Sequence, residues 1–330
     1  MTGKQMRAVA IDKFGGLETL KVRNIPRPSP GENQILIHVD SAGVGVWDPM
    51  EREGVISQVL GQKPDFPFVL GTEGAGKVAE VGERVRRFKV GDSVYGITWG
   101  TSPKAGFYAE YVAMSEEWAS KVPSRLPIEQ AGALAIDSVV ALRGLEEIIG
   151  LKPGEKLMVF GASGGIGHLA VQLGVRMGAH VFAIASGEDG VALAMRLGAE
   201  DAVDGHKADV VASAREFAPG GFDAALLTTH GEVVDRALTA MASGGRVAHP
   251  FVMPQQLPTV RTGIQVKAIT DREFWQKMPQ HLIGELNELI QEAPFEVHLG
   301  GTFRLDQAVD AHRALGSHHL GKIVLLPGNS

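Results

Sequence analysis

The segment Leu157-Met158-Val159-Phe160-Gly161-Ala162-Ser163-Gly164-Gly165-Ile166-Gly167 constrains this chain more than any other. An apolar run enters a glycine-rich turn, and the apolar positions that follow (Ile166, Leu169, Ala170, Leu173, Met177) recur at helical spacing. Strand, turn and helix opening in that order form half of a βαβ unit. Such a turn has a chemical use. A pyrophosphate needs backbone without side-chain obstruction and N–H groups free at a helix N-terminus, where the helix dipole favours negative charge. Gly164 and Gly165 permit close approach, and Gly167 permits tight packing of helix on strand. Gly161, Ala162, Ser163, Gly164, Gly165, Ile166 and Gly167 are therefore the candidate dinucleotide-binding residues. A bare glycine pattern also fits a plain tight turn; the alternation around it points to the cofactor.

That alternation predicts strands over 156–160, 180–185, 222–227, 246–249 and 265–269. Helices are predicted over 190–197, stopped by Gly198, and over 233–241, stopped by Gly244-Gly245. This is the rhythm of a parallel sheet with helices on both faces. The first 120 residues or so differ. Short strands are predicted over 6–11, 35–39, 77–81, 93–95 and 107–112, with Pro26, Pro28, Pro30 and Gly31 marking a loop. They suggest a small barrel or sandwich. After an amphipathic helix through Leu282, Ile283, Leu286, Leu289 and Ile290, strand (295–299), helix (306–315) and strand (322–326) leave the regular alternation and are expected to complete the N-terminal domain.

The 330 residues include no cysteine, which excludes disulfides, thiolate zinc sites, iron–sulfur clusters and a cysteine nucleophile. Lys+Arg number 32 against 38 Asp+Glu, a net charge of −6 that gives no reason to expect nucleic acid. No apolar run approaches the roughly 18 residues of a membrane span. The opening MTGKQMRAVAID lacks a signal-peptide core, so a cytoplasmic protein is expected. His312, His318 and His319 are the one local grouping among 11 histidines, and they read as solvated polar residues at a surface turn.

The loop spelling resembles that of short-chain dehydrogenases, but those need a Tyr-x-x-x-Lys pair, and none of Tyr95, Tyr108 and Tyr111 has a lysine four residues later. A second resemblance extends along nearly the whole chain. It rests on Ala42-Gly43-Val44-Gly45-Val46-Trp47-Asp48, Phe68-Val69-Leu70-Gly71-Thr72-Glu73-Gly74-Ala75-Gly76, Val90-Gly91-Asp92-Ser93-Val94-Tyr95-Gly96 and Gly106-Phe107-Tyr108-Ala109-Glu110-Tyr111. Leu151-Lys152-Pro153-Gly154-Glu155, the glycine loop, Arg196-Leu197-Gly198-Ala199, Gly244-Gly245-Arg246-Val247 and Gly321-Lys322-Ile323-Val324-Leu325 continue it. In order and spacing these resemble the medium-chain dehydrogenase/reductase superfamily, in its zinc-free quinone reductase and enoyl reductase-like branch. The resemblance implies an α/β fold: a Rossmann doubly wound parallel-sheet domain (124–292) inserted in a GroES-like β-barrel catalytic domain (1–123 and 293–330). It also implies an active site in the cleft between them and a homo-oligomer, with a dimer expected.

The second strand of the α/β run ends at Ser186, where an NAD-selective chain carries a carboxylate. Serine favours NADPH; Gly190 where the family usually has lysine, with Glu188 and Asp189 nearby, leaves NADH open. Thr228 is a candidate for the adenosine side, and Pro250 and Phe251 for the nicotinamide. Zinc-dependent relatives carry Gly-His-Glu; here Gly71-Thr72-Glu73 stands, so no metal is expected. The implied reaction is hydride transfer from NADPH, without zinc, to a small electrophile such as a quinone or an α,β-unsaturated carbonyl. Related quinone reductases place asparagine at the position of Gly45, often tyrosine at Met50, and threonine at Val140. Asp137 and Ser138 could substitute in part. No catalytic acid is assigned; Trp47, Asp48 and Tyr95 are the cleft candidates. A zinc-free ketone or acyl-thioester reductase, and an NADPH-binding sensor or accessory protein, are the alternatives.

Overall fold

The computed structural model describes residues 4–61, 64–98, 105–250, 263–271, 274 and 279–328. Contacts divide the chain into two units: Met1–Ile136 with Trp275–Ser330, and Asp137–Phe274.

The first unit opens with β1 (Gln5–Ile11), β2 (Lys21–Pro26), β3 (Gln34–Val44), β4 (Phe68–Val69), β5 (Glu73–Val81), β6 (Ser93–Ile97), β7 (Tyr111–Ser115) and β8 (Ala119–Lys121). β1 pairs antiparallel with β2 and β4. β3 pairs antiparallel with β5 and β7, and β5 leads through β6 to β8. Register shifts between β3 and β5, at Leu36/Ile37 and Val39/Ser41, are irregularities of the kind that bends a sheet. The core inside contains Ile35, Ile37, Val39, Val78, Val94, Phe107 and Met114. The strand expected over 107–112 begins only at Tyr111. The Phe107 and Tyr108 N–H groups donate instead to the Gly71 and Leu70 carbonyls, and both rings are fully buried.

The second unit contains β9 (Lys156–Phe160), β10 (His180–Ala185), β11 (Asp201–Asp204), β12 (Phe222–Leu227), β13 (Met241–His249) and β14 (Gln265–Ala268). All five pairings are parallel, in the order β11-β10-β9-β12-β13-β14. This is the doubly wound dinucleotide-fold order, which reverses direction between β9 and β12. Side chains alternate between faces with period two. Met158, Phe160, Phe182, Ile184, Ala225 and Leu227 share one face with Val210 and Ala214 of the helix Val210–Phe217. Phe182, Phe217 and Phe222 pack there with ring centroids 5.3–5.8 Å apart. Leu157 lies on the other face, against Gly174 of the helix Gly165–Arg176.

The expected helix over 233–241 stops early: α-helix covers Glu232–Ala237 and a tighter turn Leu238–Ala240. Met241 already pairs with Phe222, and the next pairing joins Ala224 to Arg246, so residues 242–245 bulge from the ladder. Gly244-Gly245 serves this bulge and does not end a helix.

The chain closes with β15 (Leu299–Arg304) and β16 (Lys322–Leu326), separated by the helix Ala308–Ala314. β16 pairs antiparallel with β3, which makes the parallel-sheet unit an insertion in the first. The strand expected over 295–299 is not formed. Phe295 and Val297 are buried at alternate positions, imitating a strand pattern, but the ladder starts at Leu299.

Candidate functional site

The glycine loop joins β9 to the helix Gly165–Arg176 beside the point where the sheet reverses order. Gly161 turns the chain at φ +78°, a left-handed conformation that favours glycine. The Gly161 and Ala162 N–H groups both donate to the Ile184 carbonyl, which fixes the turn on β10. A Cβ at Gly167 would lie 2.1 Å from the Gly161 carbonyl oxygen, so only glycine lets the helix start this close to the strand. At Gly164 the nearest atom to such a Cβ is the Gly161 carbonyl oxygen at 3.5 Å, an ordinary contact distance, so nothing crowds the turn there. Among the described residues, the N–H groups of Gly165, Ile166 and Gly167 have no backbone acceptor, as in the first turn of any helix. The arrangement is an unobstructed, electropositive cradle for an anion.

Ser163 of the loop is buried, and its hydroxyl accepts the Ser186 N–H at 3.2 Å. A Cβ at Gly190 would meet the Ser163 Cβ and Oγ at 2.9 Å, so a lysine there would require Ser163 to move. Ser186 Oγ lies 3.2 Å from His206 Nε2, on the stretch after β11. The His206 and Gly187 N–H groups donate to Asp204 and hold its carboxyl below the usual range. Sequence reading missed this neighbourhood, because the short β11 (Asp-Ala-Val-Asp) offers no apolar run. Across the reversal point, Thr228 Oγ1 donates to the Phe160 carbonyl at 2.9 Å. Pro250 follows β13 and is half-buried; Phe251 lies outside the described residues.

In the first unit, the helix Trp47–Arg52 brings a set of polar residues into the interior. Trp47 is half-buried, and a Cβ at Gly45 would lie 2.4 Å from its indole ring. The indole thus fills the volume that a side chain at position 45 would need. Its Nε1 is buried without an acceptor among the described residues. Asp48 is fully buried and accepts the Gly45 N–H at 2.7 Å, reaching back past Val46 to the second residue before the helix. Glu73 is fully buried and accepts from Lys322 Nζ at 3.0 Å and from the Ile136 N–H at 2.9 Å. The Lys322 ammonium also lies 5.2 Å from the Trp47 ring centroid. Thr72 Oγ1 lies 3.5 Å from Glu51 Oε2. Tyr108 sits beside these acids; burial, then the negative charges of Asp48 and Glu51, push its phenol well up.

Tyr95, the third cleft candidate, is fully buried. Its hydroxyl donates to Asn287 Oδ1 at 2.9 Å, and Asn287 Nδ2 donates to Ser120 Oγ at 2.9 Å. Burial pushes this phenol up as well. Tyr95→Phe is expected to lower stability by about 1 kcal/mol, the usual net worth of one hydrogen bond. The rate of the chemical step should hold within about twofold; a loss of 100-fold or more in single-turnover rate would return Tyr95 to the reacting centre.

His312 corrects the reading of solvated histidines. It is only 5% exposed, its Nδ1 lies 3.1 Å from Arg52 Nη1, and its ring meets Tyr108 edge-on at 5.8 Å. A guanidinium can only donate, so Nδ1 accepts and the proton sits on Nε2. Burial, and then the Arg52 charge, pull this imidazole down to about 4. The unfolded chain takes up that proton near pH 6.5 and the native one does not. Stability contributed here is complete above about pH 6.5 and falls as pH drops toward 4. Between pH 7.5 and 5 the loss is about 2 kcal/mol. His312→Gln should remove that part of the pH dependence in urea unfolding; an unchanged pH dependence would contradict the assignment.

Residues 31–124 match the alcohol dehydrogenase GroES-like domain, and residues 165–273 the zinc-binding dehydrogenase domain. A quinone oxidoreductase of Lama guanicoe is 30% identical, covering 98% of this chain and 99% of its own. Among solved structures, an NAD-dependent alcohol dehydrogenase superimposes with a TM-score of 0.86 at 26% identity over 98% of this chain and 100% of that one. A mycobacterial protein complexed with NADPH gives 0.82 at 25% identity, over 98% of this chain and 100% of that one. Among the described residues no group of three or more His, Asp or Glu side chains could hold a metal ion, and no helix is long and apolar enough to cross a membrane. With its glycine loop at the reversal point of a doubly wound sheet, and that sheet inserted in a GroES-like unit, the chain belongs to the medium-chain dehydrogenase/reductase superfamily, in its quinone oxidoreductase-like branch, and is an oxidoreductase.

Proposed function

We propose that the chain is an NADPH-dependent oxidoreductase that passes hydride, without zinc, to a quinone or to the β-carbon of an α,β-unsaturated carbonyl. The observation that carries this reading is the loop 161–167: Gly167 packed on the Gly161 carbonyl, an uncrowded Gly164, and three free N–H groups in the first helical turn. A dinucleotide's pyrophosphate fits that cradle. Ser186 then stands at the adenosine ribose, with Thr228 and Pro250 at the neighbouring strand ends. The cofactor supplies the hydride; the protein orients it and excludes water. The quinone oxidoreductase relative and the NADPH-complexed neighbour support both halves of the proposal.

Hydride transfer without a metal is favoured by the residues at 71–73. Thr72 stands where zinc-dependent relatives have histidine, and the Lys322 ammonium already neutralises the buried Glu73. Trp47 is the proposed substrate-facing residue, since a carbonyl oxygen would complete its unmatched indole N–H. A cytoplasmic homodimer completes the reading.

The test is NADPH oxidation, followed at its absorbance band, against 1,4-quinones, 2-alkenals, enoyl thioesters and simple ketones. Turnover with quinones or alkenals is expected. Turnover with simple ketones alone would remove the quinone and enone reading. Tight NADPH binding with no turnover would favour the sensor, which the apolar or absent side chains at Gly45, Met50 and Val140 suggest.

A further inference from the structure

The helix Gly165–Arg176 carries a polar stripe within its buried stretch. His168 is fully buried and Gln172 nearly so, among Leu169, Ala170, Val171 and Leu173, all fully buried. Each of the two polar side chains donates to the carbonyl one turn before it: His168 Nδ1 to Gly164 at 2.8 Å, and Gln172 Nε2 to His168 at 3.1 Å. A carbonyl oxygen can only accept, so Nδ1 carries a hydrogen. The His168 backbone N–H donates to the same Gly164 carbonyl at 3.1 Å. That oxygen thus has two donors from one residue, and it belongs to the peptide unit that joins Gly164 to Gly165.

We propose that His168 is a positioning residue for the glycine loop: its side chain fixes the peptide plane between Gly164 and Gly165, and so aims the Gly165 N–H at a bound pyrophosphate. The inference rests on the reading of that loop as a dinucleotide site. A trans peptide is planar, with its C=O and N–H pointing in opposite directions. Holding the Gly164 oxygen against the helix therefore turns the Gly165 N–H outward. This is one of the three N–H groups with no backbone acceptor among the described residues. Glycine on both sides leaves the plane without a Cβ to resist rotation, so hydrogen bonds must hold it. The backbone bond sits in the first turn of the helix, where helices fray. The fully buried imidazole adds a second donor at low local dielectric, where a hydrogen bond is stronger than in water. It also polarises the amide, which makes the Gly165 N–H a better donor to an anion. An apolar side chain at 168 would suit the buried surroundings and would do neither.

The experiment is fluorescence titration of the full chain with NADPH and with NADH, for the wild type, His168→Gln and His168→Leu, with urea unfolding of all three. A glutamine side chain can donate one turn back, as Gln172 does in the next turn. A leucine side chain fills the space and cannot donate. His168→Gln should bind within about twofold of the wild type. His168→Leu should bind both dinucleotides about tenfold more weakly, the worth of one hydrogen bond. The ratio of the two affinities should hold within about twofold, because the pyrophosphate is common to both. Should His168→Leu not fold, His168→Met, whose flexible chain fills irregular gaps, is expected to show the same loss. Wild-type affinity in the folded apolar variant, an equal loss in His168→Gln, or a loss confined to NADPH would overturn the inference while leaving the dinucleotide site standing. Binding of neither dinucleotide by the wild type would overturn that site and the inference with it.

Discussion

Gly167→Val is expected to weaken dinucleotide binding by 100-fold or more and to lower stability by about 2–3 kcal/mol, the range for forcing volume into a packed site. Everything a Cβ at 167 would meet is backbone: the Gly161 carbonyl oxygen at 2.1 Å, its carbon at 2.7 Å and the Ala162 Cα at 2.8 Å. No rotamer change relieves such contacts. The helix must withdraw from the strand and carry the N–H groups of Gly165 and Ile166 with it. Gly164→Val is the matched control. Its φ of −86° suits any residue, and it meets nothing closer than 3.5 Å, so the fold should hold within about 0.5 kcal/mol. A pyrophosphate lying over the turn would still collide with the new side chain. Both variants should lose cofactor affinity, and only Gly167→Val should lose much stability in urea unfolding. Gly164→Val with wild-type affinity would move the ligand off the loop.

Lys322→Met is expected to cost about 3–5 kcal/mol, because it removes the cation from a carboxylate that stays buried. The Glu73 side chain is 0% exposed and the Lys322 side chain 3%. The Ile136 N–H remains as a donor to Glu73 but carries no full charge. Glu73→Gln combined with Lys322→Met leaves no uncompensated ion, so the double variant should recover a large part of the loss. Urea unfolding of the two single variants and the double one closes the cycle. A change under 1 kcal/mol in Lys322→Met would show that the pair is well solvated.

Much of the second unit was legible because each core strand is a short apolar run between turns, and a parallel sheet buries both faces of such a run. The loop was legible because its glycines occupy the positions where close approach demands them. Misreadings arose where a local pattern had two physical meanings. Gly244-Gly245 resembles a helix stop but serves a bulge, and the alternation of Phe295 and Val297 is burial without a ladder. The polar interior of the first unit was hidden for another reason. Glu73 and Lys322 are 249 residues apart, and Arg52 and His312 are 260 apart. No window on the sequence joins them. Gly45 shows the same limit: it reads as a lost asparagine until Trp47 is seen filling the space.

Hydride transfer without a metal is tested most directly by isotope. Chelator-treated, metal-free protein is mixed with NADPH deuterated at the transferable C4 position and an α,β-unsaturated ketone, and the product is examined by mass spectrometry and NMR. One deuterium at the β-carbon, at a rate unchanged by added zinc, is the expected result. No transfer until zinc is restored, or deuterium on the carbinol carbon instead, would contradict it.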